Sequence, residues 1–333
     1  MPWAGPLLVF LAAGTPLLAA FVIDMLLGDP KEGSGIERIY PPVLLGRLGL
    51  GLSESIPRKG TPRKERALGA LVWGVVVGIG LLLSLLFVLY AGPALRTLVT
   101  PTSWPGESAM SFAAMAVLAA LYLVWLKSLF TMRGLLSFCL RPLGKPLEEK
   151  RALTARVVNR ETRELPEGLL HAALVESLAE NTTDSVVSPL LYYAFLGLPG
   201  AVLYRTVNTL DALLGHTDPR WINVGAVAAR VDHWMNLPGD RLSGAFLGGA
   251  GHPPVTLQGG TREVPASIRS LSSALTVRLE KTGCYTVGAE RAFPTEEDVR
   301  RAARKVQKAG YLTLAVTLVI MGGLAVVGWT FFL

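Results

Sequence analysis

The sequence is short of charge. Asp, Glu, Lys and Arg make up only 17% of its 333 residues, where a soluble globular chain carries about a quarter. That scarcity reads as a membrane protein before any motif is considered. Cysteine is scarce too: Cys139 and Cys284 are the two present, without a CxxC partner or a nearby histidine pair. They point to neither a disulfide framework nor a zinc site. His171, His216 and His252 read as polar surface or helix-end residues, and His233 alone sits among other candidate groups. No Walker A sequence and no GxGxxG is present, so a standard nucleotide-binding fold is not indicated. No basic run is interleaved with aromatics, so nucleic acid is not an expected partner. Internal repeats, low-complexity tracts and a strand series are all absent, and the missing repeat argues against a transporter.

What the chain does have is apolar residues gathered into runs: 51% of it is hydrophobic and its mean hydropathy is +0.43. Four runs, 7–27, 67–90, 110–130 and 310–333, each approach the ~20 residues that cross a bilayer as a helix. The first lacks the basic start and cleavage site of a signal peptide and reads as retained. Net charge is +7, and basic loops face the cytoplasm. Loop 28–66 holds eight Lys/Arg, five of them between Arg58 and Arg66, and basic residues recur through 131–171. Both loops are expected inside; loop 91–109 and both termini are expected outside. The 186–204 segment is apolar but carries Pro189, Gly197, Pro199 and Gly200, and reads as a buried or re-entrant helix. Residues 205–250 are helical in pattern with breaks at Pro219, Pro238 and Gly239, and 251–265 reads as loop. Ala266 to Leu279 is amphipathic, with apolar residues at 268, 271, 275 and 279. Thr295-Glu296-Glu297-Asp298 reads as a helix start, and the arginines and lysines of 300–308 follow it. The expected fold is all-α: a single-domain, multi-pass helical bundle in the cell membrane, with a cytoplasm-facing core over about 150–308. The lipid bilayer is its expected partner, and a homo-oligomer is compatible with the chain.

One stretch conflicts with this apolar background. Residues 172–189, AALVESLAENTTDSVVSP, place Glu176, Glu180, Asn181 and Asp184 in a helix-compatible run. Positions 176, 180 and 184 advance about 40° per step, so three carboxylates share one helix face. Unpaired, each would cost several kcal/mol or take up a proton. Three further clusters carry related chemistry: Arg156 with Asn159-Arg160-Glu161; Arg205, Asn208 and Asp211; and Arg230, Asp232 and Asn236, followed by Arg241. Carboxylates and carboxamides one turn apart are hard oxygen donors that suit magnesium. Arginine offers a planar fork for phosphate or carboxylate. Such groups also satisfy one another inside helical proteins purely to fix packing, and Arg156, Arg160 and Arg163 also serve as topology anchors. Ionisable residues at membrane depth nevertheless mark function by default.

At these clusters the sequence resembles the CobD/CbiB family of cobalamin biosynthesis. ENTTDSVVSPLLYY at 180–193, YRTVNTLDALLGH at 204–216 and AARVDHWMNLPGDRL at 228–242 are similar to three of its blocks. ARVVNRETREL at 155–165 and DMLLGDP at 24–30, with Gly46-Arg47, extend the likeness. Departures are Pro41-Pro42-Val43 where the family has His-Pro-Val, His233 for a second Asp, Gly239-Asp240 within Pro-Ala-Arg, and the 264–268 stretch. The resemblance implies a ligase that joins adenosylcobyric acid, a corrinoid, to (R)-1-amino-2-propanol or its O-phosphate, with ATP and magnesium. On that reading Glu176, Glu180, Asp184, Asp211 and Asp232 are the catalytic carboxylates, with Glu180, Asp184 and Asp211 as the magnesium set. Asn181, Asn208 and Asn236 orient them; Arg160, Arg205, Arg230 and Arg241 meet phosphate or carboxylate. Cobalt arrives within the corrinoid. A non-catalytic membrane sensor of the AmpE type is the competing reading.

Overall fold

Hydrocarbon offers no hydrogen bonds, so an apolar segment that enters it must satisfy its own backbone, which a helix does. The computed structural model describes residues 4–30, 33–57, 61–99, 109–215, 220–248, 253–259, 261 and 263–327. Arg58, Lys59, His216, Pro219, His252, residues 100–108 of the outer loop and residues 328–333 lie outside the described residues. The chain is an all-α, polytopic membrane helical protein with one small sheet. In order it forms α1 (Ala4–Leu27), α2 (Gly35–Arg38), α3 (Pro41–Glu54), α4 (Pro62–Val99) and α5 (Ala109–Lys127). Then come α6 (Arg133–Leu140), α7 (Leu147–Ala155), α8 (Glu167–Thr182), a π-helical turn (Thr183–Val187), α9 (Ser188–Leu214) and α10 (Ala226–Leu247). The chain closes with β1 (Val255–Leu257), α11 (Ala266–Leu275), β2 (Leu279–Lys281), β3 (Tyr285–Val287) and α12 (Glu296–Val326). Pro62–Tyr90, Glu167–Leu214 and Glu296–Val326 are long and apolar enough to cross a membrane, and Gly14–Leu27 and Ala113–Lys127 are shorter apolar helices.

Several boundaries differ from the sequence reading. The segment read as a loop from residue 91 is helical to Val99, and Gly92-Pro93 does not end α4. Pro238 and Gly239 lie inside the continuous α10 rather than at a break. Thr276 adopts a left-handed conformation that ends α11, so Leu279 belongs to β2 instead of that helix. The three strands are antiparallel in the order β1-β3-β2, with Val287 paired to both Val255 and Leu279. At three residues each they are too short to show an alternating pattern. Thr295 and Asp298 cap α12 reciprocally: Asp298 Oδ2 accepts from Thr295 N at 3.0 Å, and Thr295 Oγ1 accepts from Asp298 N at 3.4 Å.

The chain divides into two compact units. The first comprises residues 1–131, 189–235 and 315–333. Here α1 meets the turn after α5 through Phe21 and Phe130 at 6.0 Å, and α4 meets α5 through Phe87 and Trp125 at 5.4 Å between ring centroids. α3 and α4 close on α9 around buried Leu45, Val76, Val207 and Leu210. Gly46 makes that approach close: a Cβ there would stand 2.9 Å from Thr209 Cγ2. Within α9, Gly197 at φ 60°, ψ −152° kinks the helix just before Pro199, and Leu190, Tyr193, Leu198 and Val202 are buried.

The second unit comprises residues 132–188 and 236–314. Its core gathers Leu135 and Cys139 of α6, Leu174 and Leu178 of α8, Leu271 and Leu275 of α11, Leu279 of β2 and Val306 of α12. α8 is therefore apolar on nearly every side, which is why a carboxylate along it needs a specific partner.

α4 approaches the turn before α10 so closely that a Cβ on Gly69 would lie 2.2 Å from the Val224 carbonyl oxygen. Gly69→Ala is therefore expected to destabilise the protein by about 1–3 kcal/mol, read as a lower thermal midpoint in detergent. Gly74→Ala, on the same helix with nothing within 4 Å of its Cβ position, should leave the midpoint unchanged.

Candidate active site

The row of acids on α8 is resolved by pairing, residue by residue. Glu176 is buried at 4% exposure, and the Arg160 guanidinium donates to its Oε2. Arg160 also donates to the Glu280 carbonyl at 3.2 Å, so one side chain ties the 156–163 loop to α8 and β2. Glu180 and Lys281 lie within electrostatic reach of Glu176. Its other oxygen, Oε1, is buried with no hydrogen-bond partner among the described residues. Glu180 is exposed, and Asn181 and Asp184 are half-buried, so the three carboxylates meet three different environments. Asn181 donates to the Ser177 carbonyl at 3.0 Å and to its hydroxyl at 3.1 Å.

Asp184 lies in the π-helical turn, where Ser188 N reaches back to the Thr183 carbonyl. The turn has a local cause. Pro189 lacks an N–H, and its ring would strike the carbonyl four residues earlier; a wide turn relieves both. Such single π turns are frequent at functional sites. Ser188 donates to Asn236 Oδ1 at 3.3 Å. A Cβ on Gly239 would meet Ser188 Oγ at 2.0 Å, so a larger residue would displace the hydroxyl that bonds Asn236. Asp240, next to it, accepts from Ala266 N at 2.7 Å, Ser267 N at 3.0 Å and Ser267 Oγ at 2.7 Å. Two of the sequence's departures from the resembled family, 239–240 and 264–268, are thereby one cap on α11.

In the first unit the polar residues of α9 and α10 form a chain. Arg205 Nη1 donates to Asn208 Oδ1 at 3.2 Å, one turn on. Asn208 Nδ2 donates to Asp232 Oδ1 at 3.3 Å, and Asp232 is 8% exposed. Asp211 is half-buried, while Arg230 and the second unit's Arg241 are exposed. The structure thus joins Arg160 to Glu176, and Arg205 through Asn208 to Asp232. The residues assigned to magnesium are divided: Glu180 and Asp184 belong to the second unit and Asp211 to the first.

Two buried cation sites escaped the sequence reading. Lys127, 3% exposed, pairs with the wholly buried Asp24 at 2.9 Å and with Asp29 at 2.6 Å. Lys150, 2% exposed, contacts Glu167, Glu296 at 2.7 Å and His171 Nε2 at 3.3 Å. An ammonium can only donate, so Nε2 is the acceptor and Nδ1–H donates to the Pro294 carbonyl at 3.1 Å. His171 is therefore a buried structural residue, not the surface or helix-end group its sequence position suggests. Glu167, His171 and Glu296 have metal-ligand spacing, but the lysine already supplies their cation. A signal was available for Lys127, which stands among apolar residues in VWLKSLF with Asp24 at the end of an apolar run; Lys150, between Glu149 and Arg151, carries none.

Magnesium takes hard oxygen donors. The buried Glu176 Oε1 and Thr183 Oγ1, both without a hydrogen-bond partner among the described residues, have the donor chemistry such an ion requires, as do the carboxylates of Glu180 and Asp184.

These features define a polytopic membrane helical protein in which Glu176 is held by an arginine and Asp232 by a carboxamide. Its sequence matches the model of the CobD/CbiB protein family over residues 17–314. The chain belongs to that family. It is 34% identical over 322 residues to a probable cobalamin biosynthesis protein CobD of Thermococcus kodakarensis, covering 92% of this chain and 96% of the relative. It is 32% identical over 289 residues to a protein of the same description from Pyrococcus furiosus, covering 86% and 90%. The cobalamin biosynthesis protein CobD of Sinorhizobium fredii is 34% identical over 235 residues, 71% of this chain and 67% of the relative. No solved structure matches the chain.

Burial opposes the charge on Lys150, but hydrogen bonds and charges from Glu296 and Glu167 outweigh it and hold the ammonium above its ordinary range. Lys150→Met is expected to cost about 1–3 kcal/mol, less than a fully buried pair because both carboxylates are partly exposed. A raised lysine stabilises fully below its unfolded pKa and loses that contribution as pH rises through the folded value. The midpoint gap between wild type and variant should therefore hold up to about pH 10 and close above it.

Proposed function

We propose that the chain is an amide-forming ligase of cobalamin biosynthesis. It joins a carboxylate of adenosylcobyric acid to (R)-1-amino-2-propanol or its O-phosphate, using ATP and magnesium, and yields adenosylcobinamide or its phosphate. Family membership supports the pathway. The observation that carries the chemistry is the chain Arg205–Asn208–Asp232, in which one amide links a buried carboxylate to a guanidinium.

In this reading the corrinoid carboxylate is activated as an acyl phosphate, and the neutral amine then displaces phosphate from it. Magnesium, when bound, would neutralise phosphate charge; Glu180 and Asp184, which share the second unit, are assigned to hold it. Arg160, Arg205, Arg230 and Arg241 are assigned to phosphate or carboxylate oxygens, to which the guanidinium fork is matched. Asp232 and Glu176 are assigned as proton acceptors for the attacking amine. Asn208 holds Asp232 in place, whereas Asn181 is bonded to Ser177 and Asn236 to Ser188, so the orienting role expected of those two amides is carried here by Asn208. The protein is assigned to the cell membrane with these groups facing the cytoplasm, where the basic 28–66 and 131–171 segments belong.

Asp184→Asn and Asp211→Asn are each expected to lower ATP-dependent turnover by about 100-fold or more, with the thermal midpoint within error of wild type. Activity within twofold of wild type, about 0.4 kcal/mol in barrier, would remove that residue from the catalytic set.

A further inference from the structure

We propose that Tyr192 is a positioning residue of the amide-forming reaction. Its hydroxyl fixes the turn of α10 that carries Asp232, and its ring, stacked on Tyr204, ties that turn to the one that carries Arg205. The assignment rests on the amide-forming reading above and adds a residue to it.

Tyr192 and Tyr204 stand twelve residues apart, which in a straight helix would separate them by about 18 Å. α9 does not run straight. Gly197 has φ 60°, a left-handed value that a side chain resists, and the chain turns sharply there. The turn is tight: a Cβ on Gly200 would lie 2.4 Å from the Tyr192 carbonyl oxygen. The two rings therefore meet, with centroids 5.3 Å apart and planes at 16°. Tyr204 is wholly buried, so the stack gives the half-buried Tyr192 ring one fixed place.

From that place the Tyr192 hydroxyl donates to the Met235 carbonyl at 3.1 Å. The turn that receives this bond is short of its own. Pro238 lies inside α10 and has no N–H, so the Trp234 carbonyl loses its helical donor and the proline ring pushes it aside. Tyr192 supplies a bond to the next carbonyl from outside the helix. Asp232 is three residues before Met235, and it lies within electrostatic reach of the Tyr192 phenol. Asn208 fixes a distance to Asp232 Oδ1, while the direction of the carboxylate follows the backbone that Tyr192 pins. On the other side Tyr204 directly precedes Arg205, so the same stack steadies the turn from which Arg205 reaches Asn208. Misplacement of a reacting group by about 1 Å can cost about 100-fold in rate, which is the scale of loss such a hold prevents.

Tyr192→Phe keeps the ring and its stack and removes the bond. Two readouts on the full-length protein in detergent test the proposal. Hydrogen exchange, followed by mass spectrometry, is expected to quicken about fivefold in peptides covering 232–240 and to stay unchanged in α1. In the amide-forming assay kcat is expected to fall about tenfold, with the KM for the corrinoid and for the amine within about twofold of wild type. Tyr311→Phe, which removes a tyrosine hydroxyl on α12, should change neither readout. Unchanged exchange at 232–240 would overturn the hold on α10. Faster exchange there with kcat within twofold would overturn the role in the reaction, as would a raised KM with kcat retained. A wild-type protein that forms no amide would overturn the reading of the reaction and this role within it, while the exchange result would still decide the hold.

Discussion

The constraint on which this structure depends is that a charge placed among apolar helices must find an opposite charge. Desolvation penalises each ion by several kcal/mol, and loss of one partner leaves that penalty uncompensated. Among the described residues the constraint is met three times with cations of low exposure. Lys127 sits between Asp24 and Asp29, Lys150 between Glu167 and Glu296, and Arg160 against Glu176. Each pairing joins segments distant in sequence, so electrostatics fixes which elements are neighbours while apolar packing supplies the bulk of the burial. The three differ in what they leave over. The lysines are surrounded by their partners. Arg160 and Glu176 keep spare donors and a spare oxygen, which is the reason for assigning that pair to the proposed site and the lysines to the scaffold.

Backbone geometry then places the remaining polar groups. Pro189 forces a wide turn directly after the acidic row, and the turn puts Asp184 in a half-buried setting unlike that of Glu176 or Glu180. In the other unit the part of α9 beyond the Gly197 kink brings Arg205 and Asn208 within one turn of each other, and α10 supplies Asp232 to complete the chain. Glycine permits the close approaches that hold these helices: Gly46 against Thr209 beside Asn208, and Gly239 against Ser188 beside Asn236. The residues assigned chemical roles are thus carried on helices whose close approach depends on glycines at the contacts.

The helical, membrane-embedded class was legible because hydropathy runs and a low charged fraction are properties of composition. The polar clusters were legible because acids and amides stand out in such a background, and the pairs within one helix, such as Arg205 with Asn208, follow from spacing alone. What stayed hidden were relations between distant segments. Nothing in the sequence around Lys150 names Glu296 as its partner, and His171 read as a polar surface or helix-end residue because its neighbours across space were unknown. Helical periodicity grouped Glu176, Glu180 and Asp184, but it takes no account of the π turn or of what packs on each side. The sheet was missed because strands of three residues carry too little pattern, and α4 was cut short because Gly92-Pro93 is a strong local break signal that the helix overrides.

The central claim is that these paired and partly committed polar groups serve amide formation on a corrinoid. The most direct measurement is the mass of the corrinoid recovered after purified protein in detergent is incubated with adenosylcobyric acid, magnesium, ATP and isotopically labelled 1-amino-2-propanol O-phosphate. The account predicts a product heavier by the labelled amine less one water, formed only when ATP is present. An unchanged corrinoid from folded protein, with either the phosphorylated or the free amine, would contradict it.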